Sequence, residues 1–529
     1  MERQVRARLG EDTPELLRYR KLYEKEFNKK WQPVAHDELW DQVAQSRVLL
    51  MGDFHALHQS QKAQVRVLRN IPKERRKILA VEFFEAADQE KIDRYLSGKM
   101  SEKDFLKGIQ WQSRWGFPWE HYRPLLRWAQ KNKIPVVGLN RSYKKRTGTT
   151  LKSRDVFAGK KIAELVKQHH DALICVIYGD LHLAKEHIPA EIEKNLGPAF
   201  SKHILRLFQN SEKIYFQLLK QEKEAHADLI RISRNIFCLM SVPPWVKWQN
   251  YLMYLEQAYD LGLAKGLIDE DDEDEEFLDY SDHVGRYVKI ISDELGHPVS
   301  LSGLSVYSTK DKSFWSQLKS VYDLRKLKWI EYLIAEEMSF YLPEAQIAYL
   351  ARPTVNHAAS LAMQYVHAQM SPQLKLASDM PNDFERLIWL EGISYFGSKI
   401  INHKRKTDTI ADIKSSLSSK GPIDLGKEAL QLALAQKMHE LMAVTGSSRR
   451  KLQAKPKRKL SFVVAARLLG GILGERLYFG YHKKILSRQT VVGFLKKPVS
   501  SESFSVAYYE MLEVIEALPV PFHSKKEKL

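Results

Sequence analysis

Cysteine is nearly absent: Cys175 and Cys238 are the two thiols in 529 residues, and each sits in an apolar run. So few thiols exclude a disulfide scaffold and a cysteine-built zinc site, and they fit a reducing compartment. Long apolar runs are missing too. Nowhere do about 18 uncharged apolar residues follow one another, so no membrane-spanning helix is expected. The opening stretch, MERQVRARLGEDTPELLRYRKLYEKEF, has no apolar leader core, no small-residue cleavage site and no cysteine for a lipid. That predicts a cytoplasmic location. Negative charge is the minority sign. Lys and Arg number 83 against 65 Asp and Glu, a net charge of +18, so polyanions are attracted. What is present is ordinary for a globular chain: 44% hydrophobic and 28% charged residues. At roughly 150 residues per domain, two to four domains are expected.

The chain opens helically. Thr13-Pro14-Glu15 combines a capping hydroxyl, a first-turn proline and an acid, and a second helix is expected from His36 to Gln45. Four short apolar runs then follow: Val48–Met51, Ile78–Val81, Pro135–Leu139 and Leu173–Tyr178. Each is apolar on both faces, as in strands buried within a parallel sheet, and helical stretches separate them. Ile204–Phe208 and Ile214–Leu218 read as two more strands joined by a tight link, hence an antiparallel edge. Beyond residue 220 the pattern turns helical, over Leu324–Tyr341, Val355–Met370, Asp383–Ser398, Leu425–Val444 and Phe462–Tyr481. The expected fold is therefore α/β with a mainly parallel sheet over residues 1–220, followed by a mostly helical region over 221–529. Ser241–Trp245 reads as a rigid connector between them, with Trp245 and Trp248 docking the helical part. The acidic run Asp269–Glu276 and the basic stretch Arg449–Lys459 read as solvated segments.

Sites in open α/β sheets form at the carboxyl ends of strands. The first run ends in Gly52-Asp53-Phe54-His55 and the fourth in Gly179-Asp180-Leu181-His182, two copies of Gly-Asp-x-His. The glycine is expected to turn the chain sharply, letting the histidine point back over the sheet edge. The second run delivers Glu82 and the third Asn140 and Arg141. Two histidines, an acid and an arginine thus meet at one edge. The plainer alternative is a structural network in which the histidines cap or pack and Glu82 pairs with a buried Arg141. The crowded aromatics from Trp111 to Tyr122 read as packing near the pocket mouth, or as a lining for a planar ligand, with Arg114 and Arg123 either facing the pocket or solvated. His58 and His169-His170 read as structural. Tyr251 and Tyr254 carry phenols able to ligate haem iron, although core packing explains them as well.

The same pieces carry a family resemblance. VLLMGDFH, AVEFFE, DRYLSGKMSEKDFL, WQSRWGFPWEHYRPLLRWA, IPVVGLN and YGDLH, in that order, make residues from about 44 to 185 similar to the ChaN-like haem-binding domain of the Tiki/TraB/EreA superfamily. The resemblance implies a site built on His55, Glu82 and His182, with Asn140 and Arg141 as further polar residues. Two features depart from the family pattern: Asp53 stands where family members usually have Glu, and the lipoprotein signal of the best-known ChaN-type proteins is missing.

Three functions fit these residues. In a metal-dependent, hydrolase-like pocket for a peptide or ester, His55, His182 and Glu82 bind Zn²⁺ or Mn²⁺. Glu82 serves as ligand or general base, Asp53 and Asp180 orient the histidines, and Arg141 stabilises a developing anion. In a haem-binding protein without catalysis, an axial His or Tyr and an apolar slot suffice. In a basic interaction module with a degenerate pocket, Arg449–Lys459 contacts nucleic acid or an anionic surface.

Overall fold

The computed structural model describes residues 2–9, 12–141, 149–260, 280–308, 313–371, 384–418, 425–446 and 459–521. The chain divides into two compact units, the first running through Glu276 and the second starting at Phe277.

The first unit is built on eight strands: β1 (Gln32–Pro33), β2 (Val48–Asp53), β3 (Lys77–Glu85), β4 (Val136–Asn140), β5 (Leu173–Gly179), β6 (Ile204–Gln209), β7 (Leu229–Ser233) and β8 (Ile236–Leu239). Their order across the sheet is β1-β7-β8-β6-β2-β5-β3-β4. β8, β6, β2, β5, β3 and β4 run parallel, and β7 runs against both its neighbours. Every residue of β2 and β5 is buried. The reason is visible in the alternation. Leu49, Met51, Cys175 and Ile177 join one core layer, and Val48, Leu50, Ile174 and Val176 join the layer on the opposite face. The two cysteines are free and buried, Cys175 in the first layer and Cys238 in the second. β2 and β5 are neighbours, and β3 lies beside β5, so their carboxyl ends form one edge.

The antiparallel edge arises differently from expectation. Ile214–Leu218 is not a strand but part of the helix Glu212–Lys220. Ser211 caps it, Glu212 suits its first turn, and Ile214, Tyr215 and Leu218 are buried at helical spacing. The hairpin is instead β7–β8. These strands belong to the same sheet, so the α/β unit continues past residue 220. The helix Pro244–Asp260 also belongs to this unit, with Trp245 packed against its core.

The N-terminal helix Pro14–Glu26 starts where expected, with Thr13 accepting from Leu16 N at 3.3 Å. At its other end Glu26 is buried and paired with Arg206 of β6, and it accepts from Lys185 N at 2.8 Å. Burial pushes the Glu26 pKa up, but the Arg206 charge together with the hydrogen bonds from Arg206, Lys185 and Lys29 outweighs it and holds the carboxyl below its usual value. A carboxylate depressed in the folded state stabilises fully above its unfolded pKa and loses that contribution as pH falls through the folded one. Glu26→Gln should therefore be less stable at neutral pH and show a shallower loss of melting temperature below about pH 4.5. Superimposable acid limbs for the two proteins would remove the pair from the stability account.

The second unit is mostly helical around a small sheet of β9 (Ser305–Ser308), β10 (Phe340–Leu342) and β11 (Ile347–Leu350), in the order β10-β11-β9. Its main helices are Val355–Met370, Phe384–Ile401, Leu425–Val444 and Lys459–His482. Leu324–Tyr341 is only partly helical. The helix stops at Ala335, Glu337 adopts a positive φ of 52°, and the chain enters β10. The acidic run Asp269–Glu276 and the basic stretch Arg449–Lys459, apart from Lys459 at the start of its helix, lie outside the described residues. Among the described residues no helix is long and apolar enough to cross a membrane.

Candidate functional site

The strand ends bring His55, Glu82 and His182 together around Gly179. A Cβ placed on Gly179 would lie 3.4 Å from Glu82 Oε2, 3.4 Å from His182 Cδ2 and 3.6 Å from His55 Nε2. The small space above that glycine is therefore walled by all three residues.

Each imidazole is held through Nδ1 by a buried carboxylate. His55 Nδ1 lies 2.8 Å from Asp53 Oδ2, and His182 Nδ1 lies 2.5 Å from Asp155 Oδ1. Asp53 also accepts from Tyr122 Oη at 3.1 Å, Ser60 Oγ at 3.2 Å, Gln61 Nε2 at 2.7 Å and Gln64 Nε2 at 2.9 Å. Burial pushes the Asp53 pKa up, yet these donors, His55 foremost, hold it below the usual range. Burial likewise lowers the His55 pKa, but Asp53 and Glu82 outweigh it and the net shift is upward. Asp155 accepts from Tyr19 Oη at 2.8 Å. Against the upward push of burial, the His182 charge and these hydrogen bonds bring Asp155 down to about 2. His55 Nε2 is 3.8 Å from Glu82 Oε2, beyond hydrogen-bond reach, and the His55 side chain is 25% exposed.

Glu82 is fully engaged. Its Oε2 accepts from Gly179 N at 2.6 Å, and its Oε1 pairs with the Arg154 guanidinium. It ties β3 to the end of β5, and both oxygens are spoken for. Among the described residues no group of three His, Cys, Asp or Glu side chains has a geometry that could hold a metal ion. The Zn²⁺ or Mn²⁺ assignment to His55, Glu82 and His182 thus finds no support.

Other expected site residues stand elsewhere. Asn140, at the end of β4, accepts from Arg141 N at 3.0 Å. It lines a separate cavity of about 20 Å³ with Glu85, Asp88 and Arg114, and Trp115 stands in that cavity's wall while its ring also meets His55. Arg141 is exposed, with its guanidinium 5.8 Å from the centre of the Phe157 ring. The arginine at Glu82 is Arg154. Asp180 does not orient His182. It accepts from Tyr23 Oη at 2.5 Å and Gln209 N at 3.1 Å, and burial pushes it up to about 7. Its place beside His182 is taken by Asp155. Arg154 and Asp155 are adjacent on the helix Thr149–Gln168. The only sequence signal for them was a charged pair on an amphipathic helix, which is commonplace.

The glycines also act differently from expectation. Gly52 lies inside β2 and Gly179 ends β5, and neither has a positive φ. A Cβ on Gly52 would fall 1.7 Å from Asp180 Oδ1, so this position is small to admit the carboxyl of the second motif.

Aromatic rings cover His55. Its ring centre lies 4.7 Å from that of Trp115 and 5.0 Å from that of Phe117. Phe117 stacks on Tyr254 at 4.8 Å, and Tyr251 stands 5.4 Å from Phe54. Trp111, Trp119 and Tyr122 are core. Arg114 pairs with Glu85 and Asp88, and Arg123 with Glu102. His58 opens the helix His58–Asn70 and stacks on His121 at 4.9 Å.

The first unit thus carries His55 and His182 at the ends of adjacent parallel strands, each held through Nδ1 by an aspartate, Asp53 from β2 and Asp155 from the helix Thr149–Gln168. Residues 39–148 match the family described as "Haem-binding uptake, Tiki superfamily, ChaN", so the resemblance read from the motifs is borne out over that span. It contains His55 and Glu82 and stops short of His182. A solved structure, "Cofacial heme binding to ChaN of Campylobacter jejuni", aligns at 15% identity with a TM-score of 0.27, covering 34% of this chain and 88% of that one. No curated protein matches.

Proposed function

We propose that the first unit binds haem, with His55 as the iron ligand. The observation that carries this reading is the setting of one imidazole. His55 Nδ1 is held by Asp53 at 2.8 Å, Nε2 is outside hydrogen-bond reach of Glu82, and two aromatic rings flank it at 4.7 and 5.0 Å. A carboxylate on Nδ1 fixes the tautomer that leaves Nε2 as the donor and strengthens it. A porphyrin needs apolar, planar neighbours, and the half-buried Phe54, Phe117, Tyr251 and Tyr254 supply them beside His55. Bound haem would supply an iron centre, and His55 is the residue that would hold it. The match of residues 39–148 to a haem-binding family supports the same reading.

A hydrolytic reading rests on a different observation, the two Asp–His couples facing one space. In that reading an imidazole, and not the fully engaged Glu82, is the general base on a peptide or ester. Haemin titration of the full chain separates the two. The expected result is a Soret shift at micromolar protein, with affinity at least tenfold weaker in His55→Ala and little changed in His58→Ala. The absence of a shift, or an equal affinity in His55→Ala, would overturn the proposal.

A further inference from the structure

The second unit contains a cleft with two chemically different ends. The larger cavity, about 180 Å³, is polar, with Arg405, Ser360, Ser394, Gln364 and His357 in its walls. The smaller, about 90 Å³, is apolar, lined by Trp329, Leu333, Met338, Leu390 and Val463. Ser339, Gln364, Glu391 and Arg467 line both, so the two cavities adjoin along these four residues.

Arg405 is the unusual element. Its Nη1 donates to Ser360 Oγ at 3.0 Å and also to Ser398 Oγ, and its guanidinium lies 4.6 Å from the centre of the Tyr395 ring. Among the described residues no carboxylate stands within ion-pair distance of it. Three other cations of this unit, buried or partly buried, are matched: Lys399 with Glu475, and Lys437 and Arg476 with Glu516. Burial lowers the Arg405 pKa, the mark of a charge taken out of water without full compensation. At the rim, Arg467 is already paired with Glu391, Nε to Oε1 at 3.3 Å. The uncompensated charge of the cleft is therefore that of Arg405. Neutral hydroxyls and an aromatic face hold its guanidinium in place and leave its charge unpaired, which prepares it for an anion.

We propose that this cleft binds a small amphipathic anion, a carboxylate or phosphate head on Arg405 with a short apolar chain among Trp329, Leu333 and Leu390. The volumes are below those of drug-sized sites, which confines the chain to a few carbons. The proposal stands apart from haem binding and uses no residue of the first unit.

Isothermal titration of the full chain with hexanoate, hexyl phosphate, inorganic phosphate and hexanol tests it, and the two hexyl anions separate a carboxylate head from a phosphate one. At least one of them should bind, at least tenfold tighter than inorganic phosphate, and hexanol should give no saturable heat. Arg405→Gln should weaken the bound anion at least tenfold, and Arg467→Gln less. Leu390→Trp, at a half-buried position, should erase the advantage of hexyl phosphate or hexanoate over its chainless counterpart. That variant decides the matter if Arg405→Gln fails to fold. Silence with both hexyl anions, saturable binding of hexanol, full affinity in folded Arg405→Gln, or an undiminished chain advantage in Leu390→Trp would each overturn the proposal.

Discussion

Replacing Glu82 with glutamine is expected to lower the melting temperature of the first unit by about 10 °C, since a broken buried pair costs roughly 3–5 kcal/mol and a large domain shifts by about 2–4 °C per kcal/mol. Glu82 is 2% exposed, and its partner Arg154 is 18% exposed at the side chain. Glutamine keeps the shape and the acceptor for Gly179 N but offers the guanidinium an amide donor or a neutral oxygen. The charge of Arg154 is then stranded beside the Tyr178 ring, whose centre lies 5.8 Å away. Arg154→Met in the same chain removes the stranded charge, so the double variant should melt above Glu82→Gln alone. A calorimetric melt of the three proteins reads this directly. A fall of under about 2 °C in Glu82→Gln, less than 1 kcal/mol on that scale, would return Glu82 to the acids held for chemistry at a cost to stability.

That outcome bears on what was legible in the sequence. β2, β3, β4 and β5 were readable because a strand buried on both faces must be apolar throughout, and such runs stand out against polar helices. His55, Glu82 and His182 were readable because a parallel sheet delivers its strand ends to one edge whatever the loops do. Partners that approach from helices were not. Asp155 and Arg154 meet His182 and Glu82 only once Thr149–Gln168 has packed on the sheet, and no local rule encodes that meeting. Tyr23, which holds Asp180, comes from a helix 157 residues away in sequence. The misread strand at Ile214–Leu218 failed for the opposite reason. Its apolar cluster is short enough to satisfy either period, and Ser211 with Glu212 decides for helix. Trp115 and Phe117, the rings over His55, lie in the crowded aromatic stretch that stood out in the sequence, whereas Tyr254, which stacks on Phe117, and Tyr251, which meets Phe54, come from the helix Pro244–Asp260 and had no distinguishing spacing.

The paired glycines supply the sharpest separation of architecture from site. Gly52→Ala is expected to destabilise the first unit by roughly 4 kcal/mol or more, combining overpacking with broken buried hydrogen bonds. The new Cβ would sit 1.7 Å from Asp180 Oδ1 and 2.7 Å from its Cγ. The carboxyl has no room to retreat, because Tyr23 Oη and Gln209 N hold its two oxygens at 2.5 and 3.1 Å. Gly52 O is itself bound by Gln64 and Gln209 side chains, which resists a shift of β2. A loss of that size is a large part of the total stability of a domain, about 5–15 kcal/mol, so soluble yield should fall sharply. Gly179→Ala should do the reverse. Its φ of −50° suits alanine, and its nearest neighbours lie at ordinary contact distance. Folding should be unchanged or slightly favoured by the loss of unfolded-state freedom. The methyl group would nevertheless occupy the space that His55, His182 and Glu82 enclose, so haemin affinity should drop at least tenfold in a protein that melts normally. A Gly52→Ala protein that melts like its parent would refute the close approach of the two motifs. An unaltered haemin titration in Gly179→Ala, beside a His55→Ala protein that loses it, would move the ligand to another side of His55.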